Sequence, residues 1–286
     1  MQALTGSRAR TAAILAVLTA IGAETIFFVP MHIPLGNVLT QLIPGIAAGL
    51  TAVSLVIIYR TIRVINFAQL ALGAVAAQLF YEFYTRHILP FPIAILAGVV
   101  AGTIVALVIG IISASLFFRH PRLVMTVVTI LFVQLVGAFT GPISNAFRRD
   151  ELVTRHPPVI GPFPNDTISI SGLPFRVAHL VALVMLVGAA ATLVFFFRRT
   201  RVGTAIRASA ENADRASLLG INVKLLQVGI WALVGFLASI ASIAVQPVQQ
   251  YQASGITDQV GLLLPLAAAV LGRMTSMPVA FFSAIA

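Results

Sequence analysis

Long apolar stretches recur along the whole chain, and they restrict its fold more than any other feature. Crossing the hydrocarbon core of a bilayer takes about 20 helical residues, at a rise of about 1.5 Å each. Eight such stretches are present, at residues 11–30, 38–58, 67–85, 91–118, 123–141, 177–197, 226–247 and 259–286. Only 9% of the residues are charged, whereas a soluble domain has about 25%. The sequence therefore predicts an all-α integral membrane protein, a polytopic helical bundle of about eight spans.

The first apolar stretch, residues 11–30, allows two interpretations. It follows Arg8 and Arg10, as the core of a cleaved signal peptide would. However, it is longer than such a core, and no small-residue cleavage site precedes a polar start. We therefore favour a permanent span and treat residues 1–37 as an extra N-terminal span with its outer loop, at the start of a single transmembrane domain, 1–286.

Basic residues lie in the connections between spans, and their distribution predicts the orientation. Five fall on one side, with acidic residues around them: Arg86, Arg148, Arg149, Arg155 and Arg176. Twelve fall on the other side: Arg8, Arg10, Arg60, Arg63, Arg119, Arg122, Arg198, Arg199, Arg201, Arg207, Arg215 and Lys224. The side with twelve is predicted to be cytoplasmic, together with the N-terminus. The net charge of +10 is thus explained by a membrane surface and not by nucleic acid.

Two segments interrupt the regular pattern of spans and short connections. The outer connection at residues 142–175 holds six of the fifteen prolines, and its alternating stretch from Thr167 to Ile170 predicts a hairpin strand. The last apolar stretch is interrupted by polar residues between Gly272 and Pro278, which predicts two half-helices joined by a turn. The sequence ends inside an apolar run, a pattern consistent with a natural polypeptide that continues beyond residue 286.

The connection at residues 198–225, on the predicted cytoplasmic side, is too long and too patterned for a simple turn. Thr204 is placed to cap a short helix that ends near Glu211. Asn212 is placed to cap a second helix, and Gly220 to end that helix in the left-handed conformation. The segment therefore predicts two consecutive short helices outside the membrane.

The side chains of these short helices fit two different roles. Glu211 lies four residues from both Arg207 and Arg215, a spacing that favours ion pairs along one helix face. The segment could lie on anionic lipid as an amphipathic helix. It could equally dock into a groove of a cytoplasmic motor subunit, as helix-in-groove contacts do.

Three segments carry a resemblance to a known family. They are AIRASAENADRASLLGINV in the 198–225 connection, GLTAVSLVIIYRTIRVINFAQLALGA from Gly49 to Ala74, and GLLLPLAAAVLGRMTSMPVA in the interrupted stretch. In this order they resemble the permease subunits of ABC importers for branched-chain amino acids, over most of the chain from about residue 45. The chain departs from the family pattern at Leu70 and Ala71, where Gly and Glu are usual, and at Arg273, where a second Gly is usual.

The resemblance implies a transmembrane permease domain of an ATP-driven importer for branched-chain or related amino acids and amides, in a bacterial-type inner membrane. Its partners would be two cytoplasmic ABC ATPase subunits, a second permease subunit or domain, and a solute-binding protein on the outer side, besides membrane lipid. The resemblance places the ATPase-coupling residues in the 198–225 connection: Arg207, Glu211, Ala213, Asp214, Arg215 and Gly220.

Several polar residues in or beside the spans are candidates for the translocation path. Asn66 and Gln69 follow Arg63 at a predicted helix start, where they could either cap the helix or line the path. Other polar side chains within spans could join helices by hydrogen bonds or contact the solute; they are Gln78, Thr126 and Gln134.

The sequence predicts no chemistry, metal or cofactor of the chain's own. The single lysine, Lys224, is not in a Gly-Lys-Ser/Thr motif, so a partner would have to hydrolyse the ATP. Cysteine is absent, and all five histidines lie in loops or at span ends. The alternative function is a motor-independent secondary carrier of small amphiphilic solutes, which usually needs a carboxylate or histidine near the midplane. Glu24 and Glu82 instead lie near outer span ends, where we expect them to reach the interface.

Overall fold

The computed structural model describes residues 35–117, 121–147, 167–170, 173–246 and 261–286. Within these ranges the chain forms ten helices and one two-stranded hairpin. In chain order they are α1 (Leu35–Ile62), α2 (Gln69–Thr85), α3 (Phe91–Leu116), α4 (Arg122–Phe147), β1 (Thr167–Ile170), β2 (Leu173–Arg176), α5 (Val177–Arg199), α6 (Arg201–Glu211), α7 (Ala213–Leu218), α8 (Val223–Val245), α9 (Leu263–Leu271) and α10 (Met277–Ile285).

Five of these helices are long and apolar enough to cross a membrane: α1, α3, α4, α5 and α8. Helix α2 has 17 residues, and α9 and α10 have nine each. Nine residues measure about 13 Å, less than half of a bilayer core of about 30 Å. The chain is therefore a multi-pass helical membrane protein. The predicted number of about eight spans is not confirmed, and the predicted span at residues 11–30 lies outside the described residues.

Helices α1 and α8 form the centre of the bundle. In their most apolar stretches 67% and 61% of the residues are buried, against 28% in α4 and in α5. The outer faces of α4 and α5 expose large apolar side chains such as Leu123, Val184 and Phe195. Such faces suit contact with lipid.

Helices α2, α3 and α8 approach one another closely through small residues. Gly73 of α2, Gly102 of α3 and Gly235 of α8 all lie in these contacts. A Cβ atom at Gly235 would lie 2.1 Å from the Cβ of Ala106, and one at Gly73 would lie 2.6 Å from the carbonyl oxygen of Ala238. The three backbones can lie this close only because no larger side chain separates them.

The two ends of α5 define the two ends of the bundle. At its N-terminus, strands β1 and β2 pair antiparallel, which confirms the predicted strand from Thr167 to Ile170. At its C-terminus, α5 leads into α6. We call these the hairpin end and the arginine-rich end, because the second carries Arg60, Arg63, Arg198, Arg199 and Arg207.

Helix α4 extends beyond its apolar span at the hairpin end. It continues to Phe147, whereas its apolar span ends at Thr140, close to the predicted end at residue 141. The first residues of the predicted outer connection, 142–147, are therefore helical. Pro142 lies inside the helix. A proline removes one backbone hydrogen bond and bends a helix, but it does not always end the helix.

The interrupted segment forms two short helices joined by a turn, as predicted, but they pack as a hairpin and not as one interrupted span. The Ser283 hydroxyl on α10 donates to the carbonyl oxygen of Ala268 on α9 at 3.2 Å. Between the two helices, Arg273 and Met274 both adopt left-handed backbone, each with φ of 53°. Their amides donate to the carbonyl oxygens of Val270 at 2.7 Å and Ala269 at 2.8 Å. The backbone groups freed at the break are thus satisfied locally, as a break at membrane depth requires.

Helix α10 packs along α1 in the opposite direction. Phe281 faces Gly49, and Ile285 faces Gly45. The first residue of α10, Met277, lies beside Ile57 near the end of α1. The turn between α9 and α10 therefore lies toward the arginine-rich end of the bundle.

Candidate functional site

Helix α6 leaves α5 through a tight elbow at Thr200. The Thr200 hydroxyl accepts the Gly203 amide hydrogen at 3.0 Å and donates to the Phe196 carbonyl oxygen at 2.7 Å. The predicted cap, Thr204, is wrong: Thr200 has extended backbone immediately after α5, so α6 begins at Arg201. A Cβ atom at Gly203 would lie 2.4 Å from the Phe196 carbonyl oxygen. Helix α6 is therefore fixed closely against the end of α5.

Helix α6 is amphipathic. Gly203, Ile206 and Ser209 are buried on the face toward α1 and α5, whereas Glu211 is exposed on the outer face and Arg207 is exposed at the edge between the two faces. The helix thus has one face anchored to the bundle and one face presented outward.

A small crevice at the arginine-rich end joins α6 to three other helices. Its lining comes from α1 (Ile57, Arg60, Thr61), α5 (Phe197), α6 (Ile206, Arg207, Ala210) and α10 (Met277). Met277 is the first residue of the second half-helix of the interrupted segment. Helix α6 and the interrupted segment therefore meet at the same place.

Helix α7 begins and ends as the sequence predicts. The Asn212 side-chain oxygen accepts the Arg215 amide hydrogen at 2.9 Å, which confirms the predicted cap. Gly220 has φ of 82°, which confirms the left-handed end. Ala213 and Asp214 form the first turn of α7, and Ala216 is buried. The two helices α6 and α7 together make a compact unit, which we call the α6–α7 element.

The predicted ion pairs along this element do not form. Arg207 instead donates to the Thr204 hydroxyl at 3.1 Å, and Glu211 and Arg215 are exposed. Arg86 and Glu82 do form an ion pair, in and just after the last turn of α2. An exposed pair gains little free energy over separate hydrated charges. The exposed side chains of Arg207, Glu211 and Arg215 therefore form no ion pairs with one another and can contact a partner.

Sequence reasoning missed two exposed leucines at the end of α7. Leu218 is 87% exposed and Leu219 is 79% exposed. The sequence did contain a signal for their exposure. A helix of six residues that turns Ala216 toward the bundle cannot also turn both adjacent leucines toward the bundle. Two adjacent apolar side chains exposed outside the spans suit contact with a partner or with the lipid surface.

A buried polar cluster lies where the chain passes from α1 to α2. The Asn66 side-chain oxygen accepts the Ala68 amide hydrogen at 3.0 Å, and the Asn66 amide donates to the Gln69 side-chain oxygen at 3.5 Å. From α4, the Thr129 hydroxyl accepts the Phe67 amide hydrogen at 3.2 Å. Asn66, Gln69 and Thr129 are fully buried. We call these three residues the α2 polar cluster.

A second polar group lies at the other end of α2. Gln78 donates to one oxygen of the Glu82 carboxylate at 3.0 Å, and Arg86 donates to the other at 2.6 Å. Glu82 is only 2% exposed, so the expectation that it reaches the interface is wrong. Burial of a carboxylate is tolerated here because two donors satisfy it.

The remaining predicted path residues lie on α4. Thr126 is half-buried and donates to the Arg122 carbonyl oxygen at 3.1 Å, and its own carbonyl oxygen accepts from Thr129 at 2.7 Å. Gln134 is exposed on the outer face of the helix. The structure thus brings Asn66 and Gln69 together, places Thr126 one turn before Thr129 on α4, and separates Gln78 and Gln134.

The fold and these surfaces agree with the comparison to known sequences. Residues 37–286 match the family described as branched-chain amino acid transport system, permease component. The chain belongs to this family. The match covers every helix assigned to the membrane bundle apart from the first two residues of α1.

A curated relative extends the same conclusion. The chain is 26% identical over 197 residues to the probable branched-chain amino acid transport permease protein LivH of Methanocaldococcus jannaschii. The aligned region covers 67% of this chain and 60% of the relative. The chain therefore matches somewhat less than two thirds of the relative's length.

Proposed function

We infer that this chain is the transmembrane permease subunit of an ATP-driven importer for branched-chain or related amino acids and amides. It would pair with a second permease subunit or domain and with two cytoplasmic ABC ATPase subunits, and an external solute-binding protein would deliver the solute. The arginine-rich end would face the cytoplasm of a bacterial-type cell, because basic connections are retained on that side.

The α6–α7 element is the observation that carries this proposal. It lies outside the spanning helices, its inner face is anchored, and its outer face combines exposed charges with two exposed leucines. Arg207 and Glu211 would orient the element in a groove of the ATPase, and Arg215 and Asp214 would add charge at its rim. Ala213 and Gly220 would allow close approach, and Leu218 and Leu219 would fill apolar pockets.

Two contacts would carry motion from the ATPase into the bundle. Gly203 fixes α6 against α5, so the two helices would move together. In the shared crevice, Ile206 of α6 lies close to Met277 of α10, so displacement of α6 would also shift the interrupted segment. Movement of α5 and α10 around the central helix α1 would alternate access to a central path.

Helix α2 is the best candidate to line that path. It carries polar groups at both ends, with Asn66 and Gln69 at the arginine-rich end and Gln78 at the other. Thr126 would contribute near the first group. Gln134 would face a path or a second permease across the exposed side of α4, since a polar side chain facing lipid alone is unfavourable.

The alternative, a motor-independent secondary carrier, has less support from the geometry. Such a carrier usually needs a carboxylate that can bind and release a cation near the midplane. Within the described ranges the buried carboxylate is Glu82, which lies in the last turn of α2 and is bound by Arg86. An importer with a separate ATPase needs no such group.

The test is recovery of partners from gently solubilised native membranes. We expect the wild-type chain to bring down a P-loop ATPase and a second permease. Leu218→Asp and Glu211→Arg should lose the ATPase and abolish leucine uptake, while membrane insertion stays normal. Ile88→Asp places the same charge at an apolar position, 49% exposed, in the connection at the other end of α2, and it should retain the ATPase.

The opposite outcomes are equally definite. Wild-type uptake and full ATPase recovery in both variants would reject the coupling role of the α6–α7 element. Recovery of the chain alone in several detergents would favour the secondary carrier. A topology reporter inserted after Gly220 that reported the outer side would reverse the proposed orientation.

A further inference from the structure

We propose that the α2 polar cluster is a binding site for the carboxylate group of the transported solute. The proposal rests on the function proposed above and names the chemical group that the path recognises at its inner end. Three observations support it: an amide donor without a partner, an uncapped helix N-terminus, and a surrounding charge pattern that favours anions.

The first observation is the Gln69 side chain. It is fully buried, and its amide nitrogen has no hydrogen-bond partner among the described residues. The side-chain oxygen of Gln69 accepts from the Asn66 side-chain amide at 3.5 Å. The nitrogen without a partner belongs to the same Gln69 side chain, at the start of α2. A buried donor without an acceptor is unfavourable by about 1–3 kcal/mol. Such a group indicates an acceptor that is bound only at some stage of the cycle.

The second observation is the start of α2 itself. Ala68 occupies the capping position, and no side chain caps the helix. The side-chain oxygen of Asn66 binds only the Ala68 amide. The first backbone N–H groups of α2 therefore point toward the cluster. The positive end of the dipole of this 17-residue helix also lies there. Helix starts of this kind bind carboxylates and other anions.

The third observation is the local charge. Arg60 and Arg63 lie in the last turn of α1 and immediately after it, on the chain segment that leads to the cluster. Glu82, the buried carboxylate of the described residues, lies at the opposite end of α2 and is neutralised by Arg86. The described chain leading into the α2 polar cluster thus carries two positive charges, and the buried carboxylate that could repel an anion lies at the far end of α2.

The cluster is closed in this conformation, and α4 closes it. Thr129 accepts the Phe67 amide hydrogen at 3.2 Å, and its hydroxyl oxygen, which donates to the Thr126 carbonyl oxygen, lies 3.4 Å from the Ile65 carbonyl oxygen. Helix α4 packs mainly on α2 and has an otherwise exposed surface. Outward movement of α4 would break these two contacts and admit the solute carboxylate, which would then accept hydrogen bonds from Gln69 and from the helix start.

The experiment measures ligand binding to the assembled importer in lipid nanodiscs without the solute-binding protein. Thermal unfolding is followed while L-leucine or L-leucinamide is added, because leucinamide keeps the side chain and amine but replaces the carboxylate with a neutral amide. We expect leucine to raise the unfolding temperature and leucinamide to have no effect. Gln69→Met keeps the length of the side chain and removes the donor, so leucine binding should weaken at least about tenfold.

Two further variants separate recognition from folding. Asn66→Asp retains an oxygen for the Ala68 amide but adds a negative charge, so it should keep the fold and abolish leucine binding. Gln227→Met makes the same change as Gln69→Met at a buried glutamine on α8, and it should bind leucine as the wild type does.

The outcomes distinguish this site from the proposed function. Equal binding of leucine and leucinamide, or unchanged leucine affinity in Gln69→Met, would overturn the carboxylate site while leucine uptake left the importer function intact. A wild-type importer that binds neither compound would also overturn the site. Absence of uptake of any branched-chain amino acid by the wild-type complex would instead reject the proposed function.

Discussion

The contact between α2, α3 and α8 and the contacts at the arginine-rich end are built in opposite ways. In the first, glycines bring backbones together so closely that a Cβ at Gly235 would lie 2.1 Å from its neighbour. In the second, α6 is held by one glycine elbow and by side chains around a crevice, and its outer face is exposed. Close backbone packing leaves no room for sliding, whereas side-chain contacts can rearrange.

From this difference we expect one part of the bundle to stay rigid and another part to move. Helices α2, α3 and α8 would form a rigid frame whose geometry changes little during the cycle. The α6–α7 element, α5 and α10 would move against that frame. Substitutions in the frame should therefore change stability, and substitutions at the arginine-rich end should change coupling.

The largest effect is expected from Gly235→Ala in the frame. The added methyl group would overlap the Ala106 side chain, so we expect the free energy of unfolding to fall by about 3 kcal/mol. Gly229→Ala makes the same change on the same helix where nothing lies within 4 Å, and it should be neutral or slightly stabilising. Denaturant unfolding in bicelles compares the two; equal losses of stability would mean that the frame is not closely packed.

A smaller loss of stability but a clear loss of coupling is expected from Gly203→Ala. Its Cβ would overlap the Phe196 carbonyl oxygen and force α6 away from α5, lowering stability by about 1–2 kcal/mol. Leucine uptake per ATP hydrolysed should fall, while the ATPase remains bound. Val202→Ala changes the neighbouring exposed residue and should leave the uptake-to-hydrolysis ratio unchanged. An unchanged ratio in Gly203→Ala would show that α5 and α6 need not move together.

The crevice shared by α6 and the interrupted segment is tested by Met277→Ala. Removal of this half-buried side chain should lower stability by about 1 kcal/mol or less, because the residue is only partly enclosed. Uptake should fall several-fold if α10 follows α6. Leu263→Ala, at a 61% exposed position on α9, provides the comparison. Equal uptake in the two variants would show that α10 does not move with α6 during transport.

The smallest effect is expected at the cap of α7. Asn212→Ala removes the acceptor for the Arg215 amide, which should destabilise this short exposed helix by about 0.5–1 kcal/mol. Amide hydrogen exchange should accelerate in residues 213–218 and stay unchanged in α8. Asn212→Asp keeps the cap and should exchange as the wild type does; the same acceleration in both variants would show that the cap does not stabilise α7.

Local signals in the sequence were sufficient for much of this architecture. Hydropathy located the spanning helices, and an asparagine and a glycine located both ends of α7, because capping depends on a few neighbouring residues. Polar residues inside the last apolar stretch were enough to predict the break between α9 and α10, but not that α10 turns back along α9. The residues of the α6–α7 element were found in this way, although their proposed coupling role came from the resemblance.

The errors concern features that depend on contacts between helices. Burial of Glu82 could not be read from its position near a span end, because it depends on how α2 sits among its neighbours. Thr204 was favoured over Thr200 because the sequence does not show that α5 and α6 meet at a sharp elbow. The proximity of Met277 to α6 joins residues about 70 positions apart along the chain, and no local pattern encodes such a contact.

The hairpin of α9 and α10 has a consequence for membrane insertion. Its two helices run in opposite directions, and both are too short to cross the bilayer. From Leu263 to Ile285 the backbone therefore turns back on itself near the arginine-rich end, and both half-helices reach that end from the same direction. The insertion machinery would have to accommodate these residues as a folded-back pair of half-helices and not as one straight stop-transfer helix.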